Sequence, residues 1–206
     1  MRTILRTLLA SVIVLAAGVA TLAATTHGFR AYTSETARRI EVREHPRALP
    51  AVQLETARGE LINLEALRGQ WLLVDFIYTR CMTYCSVQGS QYAQLQDRMA
   101  PLIEAGTVRL LSISFDPAYD APEELAAYLR RSGDRGAGWI AARPTDPESL
   151  QALLRVFGVT AIPDGIGGYV HNAAIAVVDA DGRLVHIFDW DAAAEAERYV
   201  RDRIRS

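Results

Sequence analysis

The residues best suited to chemistry are the two cysteines, Cys81 and Cys85, in the segment Cys-Met-Thr-Tyr-Cys. A disulfide between them would close so short a loop that it would remove little entropy from the unfolded chain. A purely structural disulfide is therefore the weaker interpretation. Because a thiolate both attacks disulfides and binds soft metals, the pair predicts either a redox couple or a metal site, and the cysteines alone leave both open.

The three residues between the cysteines favour a metal. If this turn is helical, residues four apart lie on one face, and both sulfurs can point at a single ion. Two thiolates are too few for a structural zinc site, which takes four ligands. A third ligand with a nitrogen donor would give a site suited to soft Cu(I). Whether Cu(II) also binds stays open at this point.

The elements around the cysteines favour a functional site. The mostly apolar run Trp71–Tyr78 reads as a strand covered on both faces. A helix is predicted over Ser86–Glu104, after the cysteines, from apolar residues at helical spacing. This arrangement places the cysteines at the carboxyl end of a strand, where open α/β sheets form their sites. The helix N-terminus is expected to lower the thiol pKa from its ordinary value of about 8.5.

The remaining pattern alternates strands with helices. A hairpin is expected over Ala51–Leu54 and Leu61–Leu64, later strands at Val108–Phe115, Ala173–Val178 and Arg183–Phe188, and a last helix over residues 192–203. Asp120 and Asp146 each precede a proline and a glutamate, which predicts two capped helix starts, the first with Glu123 in a capping box. The order predicts an α/β, thioredoxin-like fold that begins with a β-hairpin.

His171 is the candidate nitrogen ligand. It follows a glycine-rich loop and comes directly before the strand Ala173–Val178. In a thioredoxin-like fold the loop entering that strand packs against the cysteine turn, so a mobile loop histidine there can reach the sulfurs. The alternative is a surface histidine without a metal role. His27 and His45 lie in a predicted linker, and His186 lies inside a strand, so they fit less well.

The N-terminus is predicted to be a membrane segment. The run Leu8–Ala24 is apolar, follows two arginines and spans roughly 25 Å. We therefore expect a short tail and a transmembrane signal anchor over residues 1–26, a polar linker over 27–48, and the copper-binding domain over 49–206, with a cleaved signal peptide as the alternative. The net charge of −2 over 206 residues gives no indication of a nucleic-acid partner.

Several segments together resemble the Sco/SenC family of membrane-tethered, thioredoxin-like proteins. They are the stretch from Phe76 to Cys85, the strand end Ser114-Phe-Asp-Pro117, the helix start Asp120-Ala-Pro-Glu123, and the late His171. The resemblance runs from about Leu49 to the C-terminus. This chain has Met82 and Ser86 where the family commonly has proline, Arg80 where histidine is frequent, and Tyr119 and Ala121 where arginine and threonine are usual.

The resemblance implies a function. Family members are implicated in assembling the copper site of cytochrome c oxidase subunit II, and Cys81, Cys85 and His171 correspond to the copper ligands. We therefore expect a metallochaperone, anchored by a single span, with its domain on the periplasmic or equivalent exported side. Its partner would be subunit II or another copper protein. Asp116 is expected to support the site or contact the partner, or simply to form part of the turn.

Other functions remain open. A thiol-disulfide oxidoreductase that reduces the oxidase cysteines before metallation would use Cys81 and Cys85 as its catalytic residues and would not need His171. A thiol peroxidase needs one activated cysteine, which fits a close pair poorly. A structural or sensory protein that uses copper as a signal is also compatible with the sequence.

Overall fold

The computed structural model describes residues 2–26, 28–81, 84–136 and 138–205, and for residues 84–87 it describes the backbone alone. The contacts divide the chain into two units, Met1–Glu44 and His45–Ser206. The second unit starts a few residues before position 49, because Arg47 and Ala48 form a short strand that pairs with a later one.

The first unit contains two helices, α1 (Arg2–Thr25) and α2 (Ser34–Glu44). No residue of α1 is buried. Among the helices of the described chain, α1 is long and apolar enough to cross a membrane, and signal sequences share this pattern. Residues 27–48 were expected to form a polar linker, and the structure instead has helix α2 within this segment. Glu35 stabilises that helix through ion pairs to Arg38 at 2.6 Å and Arg39 at 2.9 Å.

The second unit alternates strands and helices. Its elements are β1 (Arg47–Ala48), β2 (Gln53–Thr56), β3 (Leu61–Asn63), a 3₁₀ turn (Leu64–Leu67), β4 (Trp71–Ile77), α3 (Tyr84–Glu104), β5 (Val108–Ser114), α4 (Pro122–Ser132), β6 (Trp139–Pro144), α5 (Pro147–Phe157), β7 (Ala161–Pro163), β8 (Tyr169–His171), β9 (Ala174–Val178), β10 (Arg183–Asp189) and α6 (Ala193–Ile204). The predicted strands and helices are present within a few residues of their expected bounds.

The main sheet has the strand order β1-β10-β9-β4-β5-β6-β2-β3. β4, β5 and β6 run parallel, and the other neighbours are antiparallel. Ile77 and Ser114 stand opposite each other at the carboxyl ends of β4 and β5. The turns that follow these strands therefore leave the sheet at one edge, which is where the site forms. The thioredoxin-like fold predicted from the order of elements is confirmed.

Strand β4 buries both of its faces. Leu73 and Ile77 pack in the main core cluster with Tyr92 and Met99 of α3. On the opposite face, the Phe76 ring meets that of Phe157 at the end of α5, with ring centroids 5.1 Å apart. Burial on two sides explains why the sequence of β4 is nearly continuous in apolar residues rather than alternating.

Of the two helix starts predicted at aspartates, one has the expected cap and the other does not. Asp146 caps α5 as expected, accepting a hydrogen bond from the Ser149 amide at 2.8 Å, and Gly158 ends the helix in the left-handed region with φ 64°. The capping box at Asp120 is wrong. The residue before α4 is Ala121, which makes no side-chain cap, and the Asp120 carboxylate points elsewhere.

Four strands were not predicted. β1 lies in the segment expected to be a linker, and it is a strand because it pairs with β10. β6 reads Trp-Ile-Ala-Ala-Arg-Pro, which is too short and too mixed to stand out, and it is a strand because β5 and β2 pair with it on either side. β7 and β8 pair with each other in a separate two-stranded sheet that includes His171. The expected loop histidine therefore lies on a hairpin.

Candidate metal centre

Cys81 lies in the turn that leaves the carboxyl end of β4. Its amide donates a hydrogen bond to the Tyr78 carbonyl at 3.2 Å, and the residue is half-buried. α3 begins three residues later at Tyr84, so Cys81 precedes the helix and helical spacing does not by itself bring the two sulfurs together. Cys85 lies in the first turn of α3, and its side chain is outside the described residues.

Asp120 holds the cysteine turn in place. Its buried carboxylate accepts hydrogen bonds from the Thr79 amide at 3.1 Å, the Thr79 hydroxyl at 2.6 Å and the Ser114 hydroxyl at 2.6 Å. Arg131 of α4 donates to the Thr79 carbonyl at 3.2 Å. Because these bonds reach the residue two before Cys81, they fix the backbone that presents the thiol. Burial raises the pKa of Asp120, and the bonds from Ser114 and Thr79 oppose that rise.

His171 ends β8, where it stands opposite Ala161 of β7. Its ring packs among aromatic side chains, with centroids 5.1 Å from Phe115 and 6.2 Å from Tyr78. Tyr169 completes this aromatic cluster, with its ring 5.2 Å from both Phe115 and Tyr78. The imidazole is therefore held by ring packing on a hairpin, rather than carried on a mobile loop as expected.

Cys81 lies near enough to His171 for its charge to influence the pKa of the imidazole. Burial lowers the pKa of His171, and the charge of Cys81 acts in the opposite direction. A lowered pKa favours the neutral ring at pH 7, which is the form that binds metals. The Nδ1 atom of His171 is buried, and among the described residues it has no hydrogen-bond partner. A buried nitrogen without a partner is costly, and a metal ligand role would account for it.

Cys81 and His171 line the same cavity, of about 480 Å³, which Asp164 and Trp190 also border. The late histidine and Cys81 thus border one cavity, and their role as metal ligands stays a prediction. Within the described parts of the chain, no three Cys, His, Asp or Glu side chains are grouped to hold a metal. A three-ligand centre here therefore needs Cys85, whose thiol stays a prediction.

His45 and His186 do not line this cavity. His186 is in β10 and stacks on Phe188, with ring centroids 4.1 Å apart. His45 is exposed just before β1, and His27 lies outside the described residues. Sequence reasoning missed the aromatic residues around His171 and the border residue Trp190. Tyr78 and Phe115 read as ordinary strand residues, and nothing local links them to a histidine far along the chain.

The donor set suits a soft metal. A thiol and a neutral imidazole face one cavity at the carboxyl edge of a thioredoxin-like sheet, and a second thiol is predicted beside them. Sulfur and imidazole nitrogen together favour Cu(I) or zinc over the hard cations that prefer oxygen. Fold and site thus define a thioredoxin-like protein built to handle a soft metal or a disulfide.

Comparison with known proteins gives the family. The model of the SCO1/SenC family matches residues 41–204, and the chain belongs to this family. The SCO1 homologue of Bacillus subtilis is 26% identical over 129 residues, a match that covers 62% of this chain and 66% of that protein. The resemblance noted from the cysteine segment and the late histidine is therefore confirmed.

Two solved structures share the fold. ScoI of Bradyrhizobium japonicum, solved with copper bound, is 26% identical and superposes with a TM-score of 0.64 over 75% of this chain and 98% of that one. BsSco, described as a member of the Sco family of cytochrome c oxidase assembly proteins with a disulfide switch, is 21% identical with a TM-score of 0.65 over 76% of this chain and 93% of its own.

Proposed function

We propose that this chain is a copper chaperone that binds copper through Cys81, Cys85 and His171. It would deliver the metal during assembly of the copper site of cytochrome c oxidase subunit II. The observation that carries the proposal is the buried Nδ1 atom of His171, which has no hydrogen-bond partner among the described residues and belongs to a ring that shares a cavity with Cys81. Family membership and the copper-bound structure of the Bradyrhizobium relative support the choice of metal.

The ligand set fits transfer as well as binding. Two thiolates and one imidazole would leave Cu(I) coordinatively unsaturated, so that ligands of a partner can add before those of the chaperone leave. Val170, which borders the cavity, is exposed to solvent, and this gives such a partner a path to the metal. Metal binding releases thiol protons, so uptake is expected to weaken as pH falls.

The N-terminal helix fits an anchor for this role. α1 has 24 residues, about 36 Å at 1.5 Å per residue, which exceeds the roughly 30 Å of a bilayer core. We propose that it holds the copper domain at the membrane on the periplasmic or equivalent exported side, where the copper domain of the oxidase subunit would lie.

A second candidate function uses the same cysteines. A thiol-disulfide oxidoreductase would reduce the oxidase cysteines before metallation, and the disulfide switch described for BsSco favours keeping it. Such chemistry needs Cys81 and Cys85 and does not need a nitrogen ligand. The two functions therefore differ in their dependence on His171.

The test is titration of the full-length protein, in nonionic detergent and reduced, with Cu(I) against a chromogenic chelator. Trp190 borders the cavity, so quenching of its fluorescence gives a second readout of binding at the site. We expect one copper per chain, and a loss of affinity of at least about 100-fold for His171→Ala and for either cysteine changed to serine. His45→Ala, which removes an exposed histidine outside the cavity, is the matched control and should bind like wild type.

The outcomes separate the two functions. Copper bound by His171→Ala with wild-type affinity would show that the three-ligand site is wrong. If that variant also keeps full ability to reduce a disulfide of the oxidase subunit and to restore oxidase activity, the oxidoreductase is the better description. Loss of oxidase assembly in His171→Ala with disulfide reduction intact is the result expected of a chaperone.

A further inference from the structure

Arg80, the residue directly before Cys81, makes an ion pair across the site edge. Its guanidinium donates to the Asp116 carboxylate at 2.6 Å and lies over the Tyr119 ring, 4.2 Å from its centroid. Asp116 is buried just after β5, and its amide donates to the Ser114 hydroxyl at 3.0 Å. The backbone of Asp116 is therefore tied to the end of β5, and its carboxylate holds the cysteine turn through Arg80.

The same carboxylate reaches the histidine hairpin. The Tyr169 hydroxyl lies near the Asp116 carboxylate, and the Tyr169 ring packs on Phe115, the residue before Asp116. Tyr169 stands two residues before His171 in β8. Burial and the negative charge of Asp116 raise the pKa of Tyr169. Asp116 thus joins a residue beside the thiol to a residue beside the imidazole.

The hairpin needs such an attachment. β7 and β8 have three residues each, and in the described chain they pair with each other rather than with the main sheet. An isolated two-stranded hairpin has marginal stability. Its base is held by Asn172, which donates to the Gly158 carbonyl at 3.0 Å. Toward the site, the packing of the Tyr169 ring on Phe115 and the position of its hydroxyl near Asp116 connect the hairpin to the end of β5.

We propose that Arg80, Asp116 and Tyr169 form a clasp that sets the position of the His171 ring relative to Cys81, and thereby the affinity for copper and its rate of release. These are positioning residues, since they act through the two ligands. The inference rests on the proposed copper site and goes beyond it, because Arg80 and Tyr169 contribute no metal donor in that proposal.

The physical reason is preorganisation. A three-coordinate site binds tightly only if its donors already lie near their bound positions. Releasing the hairpin from Asp116 would let the imidazole occupy more arrangements without copper, and each would have to be lost on binding. A hydrogen bond to a charged group typically contributes enough to change an equilibrium by about tenfold. We expect an effect of that size from each arm of the clasp.

The experiment compares variants of the full-length protein in detergent. Tyr169→Phe removes a hydroxyl and keeps the ring packing, Arg80→Gln removes the charge, and the double variant removes both arms. Each single variant should bind Cu(I) about tenfold more weakly and release it faster to a chelator, with the loss mainly in the release rate. The fold loss of Cu(I) affinity in the double variant should be smaller than the product of the two single-variant losses, because both arms meet at one carboxylate. Arg80→Lys, which keeps the charge, should recover much of the affinity.

Matched controls and a stability measurement complete the design. Arg58→Gln and Tyr32→Phe make the same chemical changes at exposed positions and should leave copper binding unchanged. The thermal midpoint of the copper-free clasp variants should stay within a few degrees of wild type. If His171→Ala binds Cu(I) more weakly but the clasp variants bind it as tightly as the control variants, the clasp is wrong and the proposed copper site still stands. Affinity losses that simply follow losses in thermal midpoint would likewise overturn it, whereas an unaffected His171→Ala would overturn the site itself.

Discussion

Replacing Asp75 with asparagine is expected to stabilise the protein increasingly as the pH rises from 4 to 8. Asp75 lies in the middle of β4 and is completely buried. Its Oδ1 atom accepts a hydrogen bond from the Ser112 hydroxyl at 2.6 Å, and that hydroxyl accepts one from the Trp139 indole at 2.9 Å. The Oδ2 atom is buried without a hydrogen-bond partner among the described residues. The site therefore suits a neutral side chain better than a carboxylate.

The magnitude follows from the pKa. Burial raises the pKa of Asp75 from 3.8 to about 7, with the Ser112 bond opposing the rise. A raised pKa means that the folded state holds this proton more tightly than the unfolded state. The contribution of Asp75 to stability is therefore complete below pH 4, falls as the pH rises towards 7, and is flat above that. The difference between the two pKa values corresponds to about 4 kcal/mol, at about 1.4 kcal/mol for each pKa unit.

The assay is urea unfolding of wild type and Asp75→Asn, in detergent and reduced, at intervals from pH 4 to pH 8. In the variant, the second polar group of the asparagine side chain is buried without a partner, and this lowers stability by an amount that does not depend on pH. The informative quantity is thus the change in the stability difference, which should grow by about 4 kcal/mol in favour of the variant and level off near pH 7. Asp181→Asn, an exposed turn residue, should show no such trend. A stability difference that stays flat across this range would refute the reasoning.

Two further substitutions test packing near the site. Asp120→Ala removes the acceptor that holds Thr79, leaves buried donors without partners, and should lower the free energy of unfolding by about 2–4 kcal/mol in urea titrations while weakening copper binding. Equal stability would mean that water replaces the carboxylate. Gly138→Ala should lower stability by about 1–3 kcal/mol, because φ is 77° and the new methyl would collide with Ile103. A midpoint unchanged in urea would show that Ile103 yields freely.

Part of this protein could be predicted because its signals are local. The apolar run of β4 predicts a strand buried on both faces, and Asp146 with Gly158 predicts where α5 begins and ends. The apolar N-terminal segment predicts α1 in the same way. In each case the residues that determine the element lie within it or beside it. A cysteine pair at the end of such a strand then predicts a site from position alone.

Asp120 and Asp146 mark the limit of that reasoning. Both precede a proline and a glutamate, and only Asp146 caps its helix. Asp120 instead turns inward, because folding brings the Thr79 and Ser114 donors beside it and a buried donor needs an acceptor. Those donors belong to other turns of the chain, so the local sequence carries no sign of them.

What the sequence determined by itself is the chemistry available: two thiols after a buried strand, and a histidine before a later one. The tertiary structure decided which groups meet. It placed the His171 ring among aromatic residues in the cavity of Cys81, and it brought Asp116 into an ion pair with Arg80 and near the Tyr169 hydroxyl. The physical reason is that hydrophobic periodicity and helix capping act over a few neighbouring residues. The contacts at the site join positions far apart in the chain and exist only once the sheet has formed.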